Sequence, residues 1–307
     1  MLLVHVRLHL LVRERPLRWH EGSAGNNRLR TGTEPLRHIP TRGENTLNQS
    51  NQAQVFRSIH VPGRPLILFN IWDAGSAKTV GASGAQALGT GSWSVAAAYG
   101  FTDGEKMALD FCLANLQRIV QATELPVTVD LESGYGADPS AVGKTVSSAL
   151  RAGAIGCNLE DSFPENGALR EASDQAARLQ AARAAADALG IPAFLNARTD
   201  IFFQSGPEKH DESMVEAALE CGRIYAEAGA DGLFVPGLVD ERLIGRLVEG
   251  SPLPVNIMVG KKTPLTARLV GLGVARISHG PGPYLLAMRA LEDAARAAFQ
   301  ETNTFSH

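Results

Sequence analysis

From Pro65 onward the chain alternates two apolar patterns. Short apolar runs, rich in β-branched or aromatic residues and edged by Gly, Pro or Asn, have the character of buried strands. They predict strands over residues 65–70, 85–89, 127–131, 155–160, 193–197, 232–235, 255–259 and 274–278. Between them, longer and often Ala-rich stretches carry apolar residues at helical spacing. These predict helices over 74–83, 104–123, 139–152, 173–189, 212–228, 240–248, 264–271 and 284–299, with a short amphipathic helix over 52–60 ahead of the first strand. In the 104–123 stretch, Met107, Phe111, Leu116 and Val120 fall near one face. Pro139 suits a first helical turn, where its missing N–H would be unpaired in any case.

Strand followed by helix followed by strand implies parallel pairing, because each crossover returns the chain to the same end of the sheet. Eight such units over about 240 residues predict an α/β protein of the (β/α)₈ barrel type, with an N-terminal helix and a C-terminal helix that covers its own barrel. The rival is a doubly wound open sheet. That arrangement usually carries a Gly-rich phosphate loop after its first strand, and Asn70-Ile71-Trp72-Asp73-Ala74-Gly75 is not one.

Composition narrows the function more than the fold. Residues 1–50 are rich in Arg, His and Asn and lack a sustained period, which predicts a disordered extension. Arg7, Glu14 and Glu21 weigh against a targeting segment. The barrel is expected over 51–300 and a short disordered tail over 301–307. A formal net charge of −3 in 307 residues suggests neither a nucleic-acid nor a membrane-surface partner. Cys112, Cys157 and Cys221 are odd in number and widely spaced within apolar segments, which argues against disulfides or zinc and for a reducing, cytoplasmic setting.

The charged residues gather at strand ends. Asp130 and Glu132 close the third strand, Glu160 and Asp161 the fourth, Arg198 and Asp200 the fifth. In a parallel sheet those ends point one way and lie about 4.8 Å apart from strand to strand, so one patch collects the set. Asp130, Glu132 and Glu160 crowded together call for a divalent cation, and all-oxygen ligation suits Mg²⁺ or Mn²⁺. The bland alternative is that these acids cap helices or pair with surface Lys. Arg198 is a planar cation suited to a carboxylate or phosphonate, or else a salt-bridge partner inside the barrel mouth. Residues 90–94 form a loop of mostly small residues whose N–H groups can face an anion. His279, Lys261 and Lys262 follow late strands and are further candidates for the mouth; His210 has the context of an exposed loop residue, and Cys157 that of the core.

Together these motifs resemble the isocitrate lyase and phosphoenolpyruvate mutase superfamily. The likeness spans about residues 53–298. It rests on Val129-Asp130-Leu131-Glu132-Ser133-Gly134-Tyr135-Gly136, Asn158-Leu159-Glu160-Asp161, Asn196-Ala197-Arg198-Thr199-Asp200 and Gly100-Phe101-Thr102-Asp103-Gly104. The resemblance implies an oxo-acid lyase in which Mg²⁺ chelates a small 2-oxo acid and stabilises an enolate. It implies Asp130 as metal ligand, Glu132 and Glu160 holding its waters, Asp103 as a further active-site acid, and Arg198 with the amides of Gly91, Ser92 and Trp93 gripping the substrate carboxylate. It also implies a homodimer or homotetramer, in which the helix bearing Leu285, Met288, Leu291 and Ala295 packs on a partner. One segment departs from the pattern. Isocitrate and methylisocitrate lyases carry K-[KR]-C-G-H after the fourth strand and mutases K-[KR]-N-S-L, whereas residues 162–170 here read SFPENGALR. Asn166 then either takes the role of the mutase or hydrolase Asn or forms an Asn-Gly turn. The expectations are a C–C lyase on another small acid, a carbon–phosphorus mutase or hydrolase, or a barrel that binds a metabolite without turnover.

Overall fold

Backbone hydrogen bonds define the elements in a computed structural model that describes residues 42–303. In chain order these are α1 (Arg42–Ser58), β1 (Leu66–Leu68), α2 (Ala74–Ala82), β2 (Leu88–Gly89), α3 (Ser92–Ala98), α4 (Leu109–Gln121), β3 (Val127–Asp130), α5 (Pro139–Arg151), β4 (Gly156–Glu160), α6 (Ala172–Ala188), β5 (Phe194–Arg198), α7 (Glu212–Glu227), β6 (Gly232–Val235), α8 (Glu241–Gly250), β7 (Val255–Met258), α9 (Thr266–Gly271), β8 (Arg276–Ser278) and α10 (Gly282–Asn303). Every ladder is parallel, in the order β1-β8-β7-β6-β5-β4-β3-β2. The remaining seam is joined just beyond β1, where Ile71 N–H donates to Gly89 O (2.9 Å) and Gly91 N–H to Ile71 O (3.2 Å). Asn70 staples it: its Nδ2 donates to Thr90 O, and its Oδ1 accepts from the N–H groups of His279 and Gly280. The result is the expected (β/α)₈ barrel, nearly closed.

Successive strand residues point to opposite sides. Val129, Cys157, Leu195, Leu233, Ile257 and Ile277 face the helices and join one continuous core. Their neighbours Thr128, Asn158, Asn196, Asn256 and Arg276 are buried polar residues. The Arg276 guanidinium is wholly buried and donates to Asn158 Oδ1 (3.3 Å); burial lowers its pKa to about 9 against the pull of Asp130. At the amino ends of the strands a second cluster of Phe56, Leu66, Ile155 and Phe194 closes the barrel. Helices α2, α5, α7 and α8 each start on an aspartate, Asp73, Asp138, Asp211 and Asp240, whose carboxylate accepts a first-turn N–H. Such capping stabilises each start by about 1 kcal/mol.

Several boundaries differ from the pattern-based expectation. The first helix begins at Arg42, so the end of the segment expected to lack structure is helical. Gln49 anchors it there by donating to Leu150 O and Ala154 O. Residues 1–41, and with them the rest of that expectation, lie outside the described residues, as do 304–307; the C-terminal helix itself extends to Asn303. The loop expected at residues 90–94 instead turns into α3. The helix expected from Gly104 starts at Leu109, because Gly104 and Glu105 have φ of 87° and 58°, which a right-handed helix does not accept. Phe111 is exposed, while Met107 and Leu116 are buried as that face requires, and α4 also buries Cys112, Asn115 and Ile119. The three cysteines are free, and burial pushes the Cys112 and Cys157 thiols up to about 12. Among the described residues no helix is long and apolar enough to cross a membrane.

Candidate active site

The carboxyl ends of the strands surround a cavity of about 220 Å³. Asn70, Gly91, Ser92, Trp93, Asp103, Asp130, Asn158 and Arg198 line it on one side, and Phe203, Phe234, Met258, Ser278, Gly280 and Pro281 complete it. Asp130 ends β3. Its N–H donates to Thr90 Oγ1 (2.9 Å), and its Oδ2 accepts from Ser92 N–H (3.3 Å), so the end of β2 holds the residue from both sides. Asp103 arrives on the loop between α3 and α4. Burial and the nearby Asp130 charge raise its pKa, opposed by Ser92, Arg198 and the Gly104 N–H.

Glu132 is not in the cavity wall. Its Oε2 accepts from Gly104 N–H (2.8 Å) and Glu105 N–H (2.6 Å), and its Oε1 from Tyr135 Oη–H (2.9 Å). Glu105 returns the contact, its Oε1 accepting from Ser133 Oγ–H and Tyr135 N–H. Two loops are thus clamped by reciprocal carboxylates, and the clamp delivers Asp103 to Asp130. Burial, then Asp103, raises the Glu132 pKa to about 7. Glu105, Glu132 and Tyr135 are the non-glycine residues with positive φ among those described. Left-handed backbone of this kind costs about 1 kcal/mol or more per residue and persists where surroundings over-determine it.

Glu160 is likewise outside the cavity lining. Its Oε2 lies 2.8 Å from Arg198 Nη1, while Arg198 Nε and Nη2 reach Asp200 at 2.6 and 3.0 Å. Burial raises Glu160 to about 8 against the pull of Arg198, because one guanidinium faces two carboxylates. Burial also opposes the Arg198 charge, but Glu160 and Asp200 hold its pKa above the ordinary value. Asp161 is structural: it accepts from Asp200 N–H and Tyr225 Oη–H, tying β4, β5 and α7 together.

Of the amides expected to hold a carboxylate, Gly91 N–H is engaged at the barrel seam and Ser92 N–H faces Asp130. Trp93 lines the cavity and meets Tyr284 edge-on at 6.0 Å. Asn166 stands apart. It is exposed on a compact hairpin, where its Oδ1 accepts Ala168 N–H, the turn alternative of the sequence reading. Lys261 and Lys262 are exposed, His279 packs against Phe69, and His210 bonds the Ser205 carbonyl; none of them lines the cavity. Sequence reasoning missed Asn70, Phe203, Phe234, Met258 and Ser278. Their only signal was position at or just beyond a strand end.

Among the described residues no three His, Cys, Asp or Glu side chains form a ready-made metal cage. The donor chemistry still fits a hydrated divalent ion. Asp103 and Asp130 line one cavity as hard oxygen donors, and Mg²⁺ commonly binds through one or two carboxylates while keeping several waters.

The sequence profile of the phosphoenolpyruvate phosphomutase family matches residues 56–299. The chain belongs to the phosphoenolpyruvate mutase and isocitrate lyase superfamily. Its fold superposes with a TM-score of 0.80 on a Burkholderia cenocepacia J2315 protein crystallised as a candidate phosphonomutase, at 56% identity over 81% of this chain and 99% of that one. It is 34% identical over 244 residues to the uncharacterized protein Rv1998c of Mycobacterium tuberculosis H37Rv, covering 79% of this chain and 88% of the relative. It is 30% identical over 259 residues to the 2-methylisocitrate lyase of Salmonella typhimurium LT2, covering 80% and 83%. The superfamily comprises Mg²⁺-dependent C–C lyases and mutase-type enzymes.

Proposed function

We propose that this chain is a Mg²⁺-dependent lyase that breaks a carbon–carbon bond in a small 2-oxo or 2-hydroxy carboxylic acid by way of an enolate. The meeting of Arg198 with Asp103 and Asp130 in one cavity carries this reading. Arg198 receives the substrate carboxylate. Glu160 and Asp200 fix its plane and leave the rest of its donors for a ligand, so little freedom is lost on binding. Asp130 and Asp103 would hold the cation, with Thr90 and the Glu132–Glu105 clamp fixing their positions. Mg²⁺ bound there supplies positive charge where negative charge builds as the bond to C3 breaks. Phe203, Phe234 and Pro281 keep bulk water from the reacting atoms and so strengthen each of these interactions.

A panel of small oxo and hydroxy acids, assayed with Mg²⁺ for 2-oxo acid release, tests the reading. Asp130→Ala should lower turnover by about 10³-fold or more; unchanged turnover overturns the assignment. A carbon–phosphorus reaction is the second reading, supported by the 56% identity to a candidate phosphonomutase and by a guanidinium that accepts phosphonate as readily as carboxylate. Phosphorus NMR on phosphonopyruvate separates the two, since only this reaction consumes the C–P signal.

We also propose that the chain assembles with copies of itself as a homodimer or homotetramer. Leu285, Met288 and Leu291 fall on one face of α10 and are exposed, and β1 and α2 present an open groove lined by Ile67, Phe69 and Val80. A helix with one apolar face and a groove without a cover fit reciprocally between two copies. Light scattering that finds only a monomer at micromolar concentration overturns this.

A further inference from the structure

We propose that the cavity selects a small acid with one carboxylate head and an apolar arm, and that Phe203, Phe234 and Met258 are the residues that select the arm. The proposal rests on the carboxylate-binding role given to Arg198 above and names the substrate class of the same site.

The charges come first. Arg198 is the one cation among the residues that line the cavity, and it already faces Glu160 and Asp200. Asp103 and Asp130 add negative charge to the same space. A substrate head on Arg198 and a cation on Asp130 therefore use the available positive charge, and a second or third carboxylate enters with none to meet it. Lys261 and Lys262 are exposed outside the lining, and the His279 ring lies against Phe69. Taking an unpaired carboxylate out of water is strongly unfavourable.

The shape of the cavity favours an apolar arm as well. The Phe203 and Phe234 rings lie 5.5 and 5.8 Å from Arg198 Cζ. A ligand whose head sits on the guanidinium thus has aromatic surface beside it, and Met258 and Pro281 continue that surface. Two glycines make room for this wall. At Gly237 (φ 87°) a Cβ would lie 2.9 Å from Phe203 Cδ1, and at Gly280 (φ 50°) a Cβ would lie 2.5 Å from Met258 Sδ. The backbone passes directly against both side chains and sets where they stand. Phe234 is 5% exposed at the inner end, and Phe203 is 48% exposed at the mouth, so the arm runs outward along a surface whose outer end tolerates substitution.

Calorimetry on the full chain with Mg²⁺ tests the proposal. The ligands are oxalate, the apolar series pyruvate, 2-oxobutanoate and 2-oxo-3-methylbutanoate, and the charged-arm acids oxaloacetate and 2-oxoglutarate. Affinity should rise about threefold to fourfold per added carbon along the apolar series, and the charged-arm acids should bind at least about tenfold more weakly than apolar acids of similar size. Phe203→Arg should reverse that order, binding oxaloacetate and 2-oxoglutarate at least about tenfold more tightly than the unaltered chain does. A flat apolar series, or charged arms preferred by the unaltered protein, overturns the subsite while oxalate binding keeps the carboxylate-binding reading intact. If oxalate does not bind, or binds equally to Arg198→Met, the underlying reading falls and the subsite with it.

Discussion

The two walls of the cavity are built by different physics. The wall from β2 to β5 carries Asp103, Asp130 and Arg198, and hydrogen bonds over-determine it: the Glu132–Glu105 clamp, the Thr90 contact and the guanidinium shared by Glu160 and Asp200. Part of it lies in left-handed backbone at Glu105, Glu132 and Tyr135. The wall from β6 to β8 carries Phe234, Met258 and Pro281, with Phe203 above, and is placed by packing against glycine backbone. The first wall is rigid and costly and is suited to holding charge at fixed positions. The second is apolar and yielding, and repacking changes what it accepts without disturbing the charges.

The largest effect should come from breaking the first wall. Arg198→Met leaves Glu160 and Asp200 buried without their cation, so urea unfolding should show a loss of about 3 to 5 kcal/mol, together with loss of carboxylate binding. An equal loss of stability with binding retained would mean that Arg198 only braces the wall.

Beneath both walls, His60 stacks on Phe194 at 4.1 Å, and burial, then Arg276, lowers its pKa from 6.5 to about 3. The unfolded chain therefore takes up a proton that the folded chain refuses as pH falls below 6.5. This contribution to stability is complete above that pH and declines toward pH 3, amounting to about 3 kcal/mol by pH 4. Denaturation midpoints measured from pH 7 to 4 should fall for the unaltered chain, and His60→Phe should flatten this part of the slope. A loss confined to one wall should leave it unchanged.

Gly280→Ala sharpens the contrast from the apolar side. The new Cβ must displace Met258 and sit at φ 50°, so thermal unfolding should report a loss of about 1 to 2 kcal/mol. Binding of a branched 2-oxo acid should weaken more than oxalate binding. The smallest effect belongs to Asn166→Ala. Its side chain is exposed and holds only its own turn, so kinetics and stability should stay within about 0.5 kcal/mol of the unaltered chain. A large fall in turnover would show that the hairpin closes over the cavity during catalysis.

The strand-end acids show how far pattern reasoning reaches. Period and length placed Asp130, Glu160 and Arg198 at the carboxyl ends of adjacent strands, and they are there. Spacing alone does not say where a carboxylate turns. Glu132 sits at φ 51° and so leaves the alternation of its strand, which sends its side chain to the Gly104 and Glu105 amides. Glu160 meets Arg198 because β4 and β5 pair with those two residues in register. Phe234 and Met258 look like ordinary strand residues, and only the curvature of the barrel brings them opposite the acids.

Local order was therefore readable along the chain: the eight strand–helix units and the family motifs are short-range properties of composition and spacing. The choice of which acids face the cavity, the clamp that carries Asp103 to Asp130 and the apolar wall across from them belong to the closed barrel alone. Each depends on contacts between residues far apart in sequence, whose geometry exists only once the β1–β2 seam is joined and the strand ends form a ring.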